Sequence, residues 1–222
     1  MTNLLKAEFY KLRKSVAFRL LLVFAFVLGM LRGITPVIRE IPLTGYEMYI
    51  MELKPDILYG VLICIFVSSY FCDEFSNRTF QMSFLCRGRR RTVFLAKTIT
   101  YFMGLIPIVL LPIAVSTAVV TTVNGFGGTW SEKLTFDIIS ELFCYIFRSL
   151  SLGSFALLAA SLIKDRIGAF GIGMAGIYFI MLTVINNLEN PNTISLFIVV
   201  SLLEIVVILT AAALVFERTD LK

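Results

Sequence analysis

Residues 98–123 read TITYFMGLIPIVLLPIAVSTAVVTTV, without one acidic or basic side chain. At 1.5 Å per residue, a helix of this length crosses the ~30 Å hydrocarbon layer of a bilayer. The run is continuous rather than alternating, and an open sheet edge cannot sit in lipid, so it does not read as a strand. Pro107 and Pro112 fall inside it and predict a kink. Five further apolar runs lie on either side, at 16–31, 56–72, 137–163, 167–186 and 194–216. The first is short, unless Arg19 snorkels to the headgroups. Together they predict an all-α membrane protein with six transmembrane helices in one domain over residues 1–222.

Composition agrees. Hydrophobic residues make up 58% and charged residues 16% of the chain, and the mean hydropathy is +0.89. A soluble domain carries about 25% charged residues. No soluble catalytic module remains once the spans are subtracted. The net charge of +5 does not imply nucleic acid, because the basic residues sit in short loops between apolar runs. There is no histidine, which removes histidine-dependent hydrolases and most zinc sites. The sequence offers no catalytic constellation and no metal site. Of the four cysteines, Cys64 and Cys144 fall in apolar runs, Cys72 ends one, and Cys86 lies in a basic loop, so they do not read as a disulfide framework. Residues 1–31 do not read as a cleaved signal: Glu8 interrupts the basic stretch, and no small-x-small site follows the apolar run.

Charge sets the expected orientation. With the N-terminus inside, one side holds Lys6, Lys11, Arg13, Lys14, Arg19, Arg78, Arg87, Arg89, Arg90, Arg91, Lys97, Lys164, Arg166, Arg218 and Lys222. The other side holds only Arg32, Arg39, Lys54 and Lys133. The positive-inside rule then places both termini in the cytoplasm. Leu5, Phe9, Leu12 and Val16 recur at helical spacing ahead of the first span, which predicts a helix lying in the inner interface. Residues 33–55 read as a long outer loop hugging the membrane. The run from Asn124 to Gly128 reads as a flexible turn, with Trp130 as an interface anchor.

Small residues form stripes on two spans: Ser149, Gly153, Ala156 and Ala160, then Ala169, Gly173 and Gly176 beside Gly168, Gly171 and Ala175. They let backbones approach closely, either within one bundle or across a dimer seam. Glu141, Arg148 and Glu204 are charges inside spans, where each costs roughly 2.5–3.5 kcal/mol on insertion scales. Counted from the outer ends, Arg148 and Glu204 share a depth of about 15 Å, which predicts an ion pair between them. The pair reads equally as a structural fixture or as a substrate contact.

Residues 73–97 are too long for a tight turn, too apolar for a solvated linker and too charged for a span. Phe80 and Phe84, at i and i+4, would present aromatic knobs to a cytoplasmic partner. Arg87 to Arg91 follow, and anionic lipid alone explains those arginines.

In layout the whole chain resembles the permease subunits of type-2 ABC exporters, of the small six-span class found with bacterial peptide-export and lantibiotic-immunity systems. The resemblance rests on the acidic-x-x-basic element Glu8-Phe9-Tyr10-Lys11, and on Glu74, Thr79, Arg90 and Lys97 between the second and third spans. It implies that this loop forms a coupling helix on an ATPase subunit, engaging through Glu74, Arg78, Thr79, Phe80, Phe84, Arg87 and Arg90. Arg78 stands where that family usually has glycine. The chain has no phosphate loop of the G-x-x-x-x-G-K-[ST] kind. ATP and magnesium would therefore belong to a separate subunit, and this chain binds no cofactor and is not an enzyme by itself. The resemblance further implies a second permease copy, identical or paralogous, an amphipathic or antimicrobial-type peptide as cargo, and the bacterial cytoplasmic membrane as location. A secondary transporter using Glu141, Arg148 and Glu204 as a relay is the alternative, as is a peptide-immunity factor that transports nothing.

Overall fold

The computed structural model describes residues 2–54, 56–72, 90–127, 132–163, 165–187 and 194–218. Among the described residues eight helices follow one another: α1 (Thr2–Lys14), α2 (Val16–Ile38), α3 (Gly45–Glu52), α4 (Ile57–Val67), α5 (Arg90–Asn124), α6 (Glu132–Ile163), α7 (Arg166–Asn187) and α8 (Ile194–Arg218). A single π-helical turn, Ser68–Cys72, extends α4. No strand occurs among the described residues. Among the described residues three stretches are long and apolar enough to cross a membrane: Val16–Ile38, Thr92–Asn124 and Leu134–Ile163. Ile57–Cys72 and Ser201–Leu214 are shorter apolar stretches. Among the described residues the chain is all-helical, and its apolar helices are of the kind a membrane protein carries.

α2 lies along α5, α6 packs against α7 and α8, and α4 is enclosed by α5, α6 and α7. Leu62, Phe66, Phe71, Tyr101, Leu105, Ile108 and Leu157 are fully buried where these helices meet. The outward faces are apolar too, as Leu20 and Val23 on α2 and Leu203 and Val207 on α8 show. Water would penalise such a surface, and lipid does not.

Several helix ends depart from the sequence expectation. α2 runs on to Ile38 with Pro36 in its last turns, so Arg32 lies within a helix and residues 33–38 are helical, not the start of the expected loop. The expected outer loop contains α3, whose entry is a capping box. Thr44 Oγ1 accepts from the Glu47 N–H at 3.3 Å, and Glu47 Oε2 accepts from the Thr44 N–H at 2.8 Å. Those bonds hold the Glu47 carboxyl below the usual carboxylate range. α5 begins at Arg90, so Lys97 lies two turns inside it. α6 begins at Glu132, five residues ahead of the expected span.

The expected flexible turn after α5 is the seat of α3. The Gly45 and Tyr46 N–H groups donate to the Gly125 and Phe126 carbonyls at 3.0 and 2.9 Å. Asn124 Nδ2 donates to the Leu43 carbonyl at 2.8 Å. Gly127 has φ +75°, and a Cβ there would stand 2.4 Å from the Thr44 Cβ. Only glycine meets both demands. Trp130 lies outside the described residues.

The small-residue stripes serve packing inside the bundle. Gly153 accepts through its carbonyl from the Tyr101 hydroxyl at 3.2 Å. Gly173 faces Cys64 and Ala156, and Gly176 faces the Phe155 ring. Gly171 and Ala175 are exposed on α7, whereas Gly168 is half-buried, and a Cβ there would stand 2.6 Å from Ile163 Cγ2.

Candidate functional site

Two polar clusters stand out against this apolar background, one near each end of the bundle. The first surrounds the root of residues 73–89. α1 turns a buried stripe of Leu4, Glu8 and Leu12 toward the bundle; it shares Leu12 with the expected stripe of Leu5, Phe9, Leu12 and Val16 but has Leu4 and Glu8 in place of Leu5 and Phe9. Phe9 and Val16 are exposed. The centre of the stripe is a carboxylate: Glu8 is 2% exposed. It accepts from Lys11 Nζ at 2.8 Å and from the Tyr70 hydroxyl at 3.3 Å.

Tyr70 belongs to the π-helical turn, the kind of local widening that recurs at functional sites. Its ring stacks on Phe66 at 5.7 Å. The Lys97 ammonium lies 4.8 Å above the Tyr70 ring and 5.5 Å above that of Phe71, and the residue is 1% exposed. Aromatic faces offset part of the cost of burying a cation. The cluster therefore joins three elements, α1, the end of α4 and the start of α5, where the chain leaves for residue 73 and returns at residue 90. Glu74, Arg78, Thr79, Phe80, Phe84 and Arg87 lie outside the described residues. Arg90 is the first residue of α5, and its side chain is likewise not described.

The second cluster lies toward the far end. Arg32 Nη1 donates to Glu52 Oε2 at 2.8 Å, its Nη2 pairs with Asp56, and its guanidinium lies 5.2 Å over the Tyr59 ring. The Tyr59 hydroxyl donates to the same Glu52 oxygen. Tyr145 meets Tyr59 edge to face at 6.0 Å, and the Arg148 guanidinium lies 5.3 Å over the Tyr145 ring. One arginine thus neutralises two carboxylates from different elements, the last residue of α3 and the N-cap of α4.

Arg148 does not pair with Glu204. It donates to the Leu53 carbonyl at the C-cap of α3, an unsatisfied group at the negative end of a helix dipole. Glu204 accepts from Ser151 Oγ at 2.7 Å instead. Equal depth did not make the pair: Ser151, three residues beyond Arg148 on α6, is the side chain that reaches Glu204, while Arg148 turns to α3. Mutating Arg148 and Glu204 to alanine, singly and together, should cost stability additively, within about 0.5 kcal/mol. Thermal unfolding in detergent checks this, and a large coupling term would restore the ion pair. Glu141 lies near α3. Burial, and then the Glu141 charge, push the Tyr49 phenol up to about 12, and the Tyr49 hydroxyl donates to the Ile138 carbonyl at 2.9 Å.

Sequence reasoning missed Glu52, Tyr59, Tyr145 and the role of Arg32. The Thr44-x-x-Glu47 box announces α3 and could have been read. The partner of Arg32, twenty residues further on, carries no local signal. Comparison with known protein families, with characterised proteins and with solved structures gives no match to this chain.

Proposed function

We propose that this chain is the membrane subunit of an ATP-driven exporter, a six-span permease with both termini in the cytoplasm of a bacterial cell. A separate ATPase subunit docks on residues 73–89, and a second permease copy, identical or paralogous, completes the pathway. The cargo is an amphipathic peptide.

The observation that carries this reading is the cluster at the root of the loop. Glu8, Tyr70 and Lys97 bind three helices to one another where residues 73–89 begin and end. A push on that segment reaches α1, α4 and α5 together instead of being absorbed in one flexible strap. Lys97 continues into the central helix α5, which contacts α2, α3, α4 and α6, so displacement at the loop spreads through the bundle. The layout of spans and charge, and the lack of a phosphate loop in this chain, fit the same division of labour.

The test is purification from native membranes in mild detergent, followed by mass spectrometry and an ATPase assay. A soluble protein with a phosphate loop should co-elute, and it should be lost when Phe80 and Phe84 become alanine while the permease keeps its melting temperature. A chain that elutes alone, without nucleotide hydrolysis in several detergents, overturns the proposal and favours a secondary transporter or an immunity factor.

A further inference from the structure

Glu204 is held from one side and open on the other. Ser151 is 3% exposed, and its hydroxyl fixes Glu204 Oε2 at 2.7 Å from within the bundle. Yet Glu204 itself is exposed, and Oε1 has no partner among the described residues. Around it α8 presents Leu202, Leu203, Val206 and Val207, all exposed.

Depth makes this arrangement unusual. Ser151 lies about 18 Å along α6 from Ile163, and Glu204 about 21 Å along α8 from Arg218, at 1.5 Å per residue. With both helices taken as spans of a hydrocarbon layer of about 30 Å, Ser151 is then about 12 Å and Glu204 about 9 Å from the opposite surface, inside the hydrocarbon. A carboxylate that faces lipid at such depth calls for a cation or for a proton of its own.

At that depth, the described residues of a second copy offer no exposed, unengaged cation; exposed ones such as Arg39, Lys54 and Arg166 sit at helix ends. Among the described residues, Arg32 is engaged by Glu52 and Asp56, Arg148 by the Leu53 carbonyl, and Lys97 is buried. Arg19 is exposed but sits only about 5 Å from the start of α2.

We propose that Glu204 and the apolar face of α8 form a binding site for an amphipathic cation that arrives sideways from the bilayer. The carboxylate takes the positive group, and Leu203, Val206 and Val207 take the apolar body. The inference deepens the transporter reading, resting on it for α8 as a span, and gives the cargo a place and a charge. It adds that recognition happens from the lipid, not from an aqueous cavity.

The probe is tetraphenylphosphonium, with tetraphenylborate as an anion of the same shape, applied to the full chain in lipid nanodiscs. The cation should bind saturably, about one per chain, and Glu204→Gln should weaken it at least about tenfold. Tetraphenylborate uptake should be the same in both proteins. Equal binding of the cation to wild type and E204Q overturns the proposal. Should the variant not fold, the wild type decides: dicyclohexylcarbodiimide should label Glu204 in membranes, and tetraphenylphosphonium should slow that labelling. Labelling without protection overturns the site. So does labelling that appears only after detergent disperses the complex, since another polypeptide then covers Glu204. Cation binding needs no ATPase, so its failure leaves the co-purification result standing, and the reverse holds as well.

Discussion

Arg32→Ala is expected to leave little folded protein in the membrane. The guanidinium binds Glu52 and Asp56 at once and lies over the Tyr59 ring. The Glu52 side chain is 3% exposed. Without Arg32 its carboxylate has only the Tyr59 hydroxyl and must stay buried with an uncompensated charge. Removing one member of a buried pair costs about 3–5 kcal/mol, a large part of the 5–15 kcal/mol that holds a typical domain together. Arg32→Lys should fall between, because one ammonium cannot bridge two carboxylates and stack on a ring together. The decisive variant is Arg32→Ala with Glu52→Gln. A neutral amide no longer needs a counter-charge, so the double variant should be more stable than Arg32→Ala alone. Fluorescence-detected size exclusion after a heating series measures this. Simple addition of the two losses would mean that Arg32 and Glu52 do not depend on each other.

The same residue shows where the sequence could be read and where it could not. The runs at 56–72, 167–186 and 194–216 match α4 with its π turn, α7 and α8 within a few residues, because hydropathy is local and each run ends at a charge or a turn residue. The run at 16–31 falls short of α2 because Arg32, by local pattern, marks a membrane boundary. A charge ends a span only if it stays in water, and this one is neutralised by residues far along the chain. Similarly, apolar spacing passes over Glu8, the carboxylate at the centre of the buried stripe of α1. What buries it is Lys11 within the same helix, which was visible, and Tyr70 from α4, which was not. Arg148 and Glu204 were matched by depth and charge, which are local quantities, but α3 offers Arg148 a carbonyl that no count along the helix reveals. Local pattern sets the elements, and pairing between distant residues sets the polar clusters. That is why the helices were legible and most of the candidate site was not.

Distant pairing also decides the fate of Gly29. Ala25, Gly29 and Gly33 recur every fourth residue on α2 and are all buried, a small-x-x-x-small seam of the kind that lets membrane helices touch backbone to backbone. A Cβ on Gly29 would lie 2.7 Å from the Pro112 carbonyl oxygen and 2.9 Å from the Pro112 Cα. On Gly33 it would lie 2.8 Å from the Val119 Cβ and 3.0 Å from the Ser116 carbonyl oxygen. These obstacles are mostly backbone and cannot swing aside as a side-chain tip does. Gly29→Ala must therefore separate α2 from α5, at about 1–3 kcal/mol, and Gly29→Leu should abolish folding. A helical Gly→Ala change by itself is favourable by about 1 kcal/mol, so the two effects oppose and the sign of the result is informative. Gly171 on α7 supplies the control, as a Cβ there meets nothing within 4 Å; Gly171→Ala should be neutral or slightly stabilising. If Gly29→Ala behaves like Gly171→Ala in a melting series, the α2–α5 contact is looser than the structure has it. If it destabilises as expected, the loss should exceed that of Gly33→Ala, whose nearest obstacle is a side-chain carbon. Arg32 stands between the two glycines, so moving α2 off α5 also draws its guanidinium away from Glu52, and one substitution then weakens both the seam and the charge cluster.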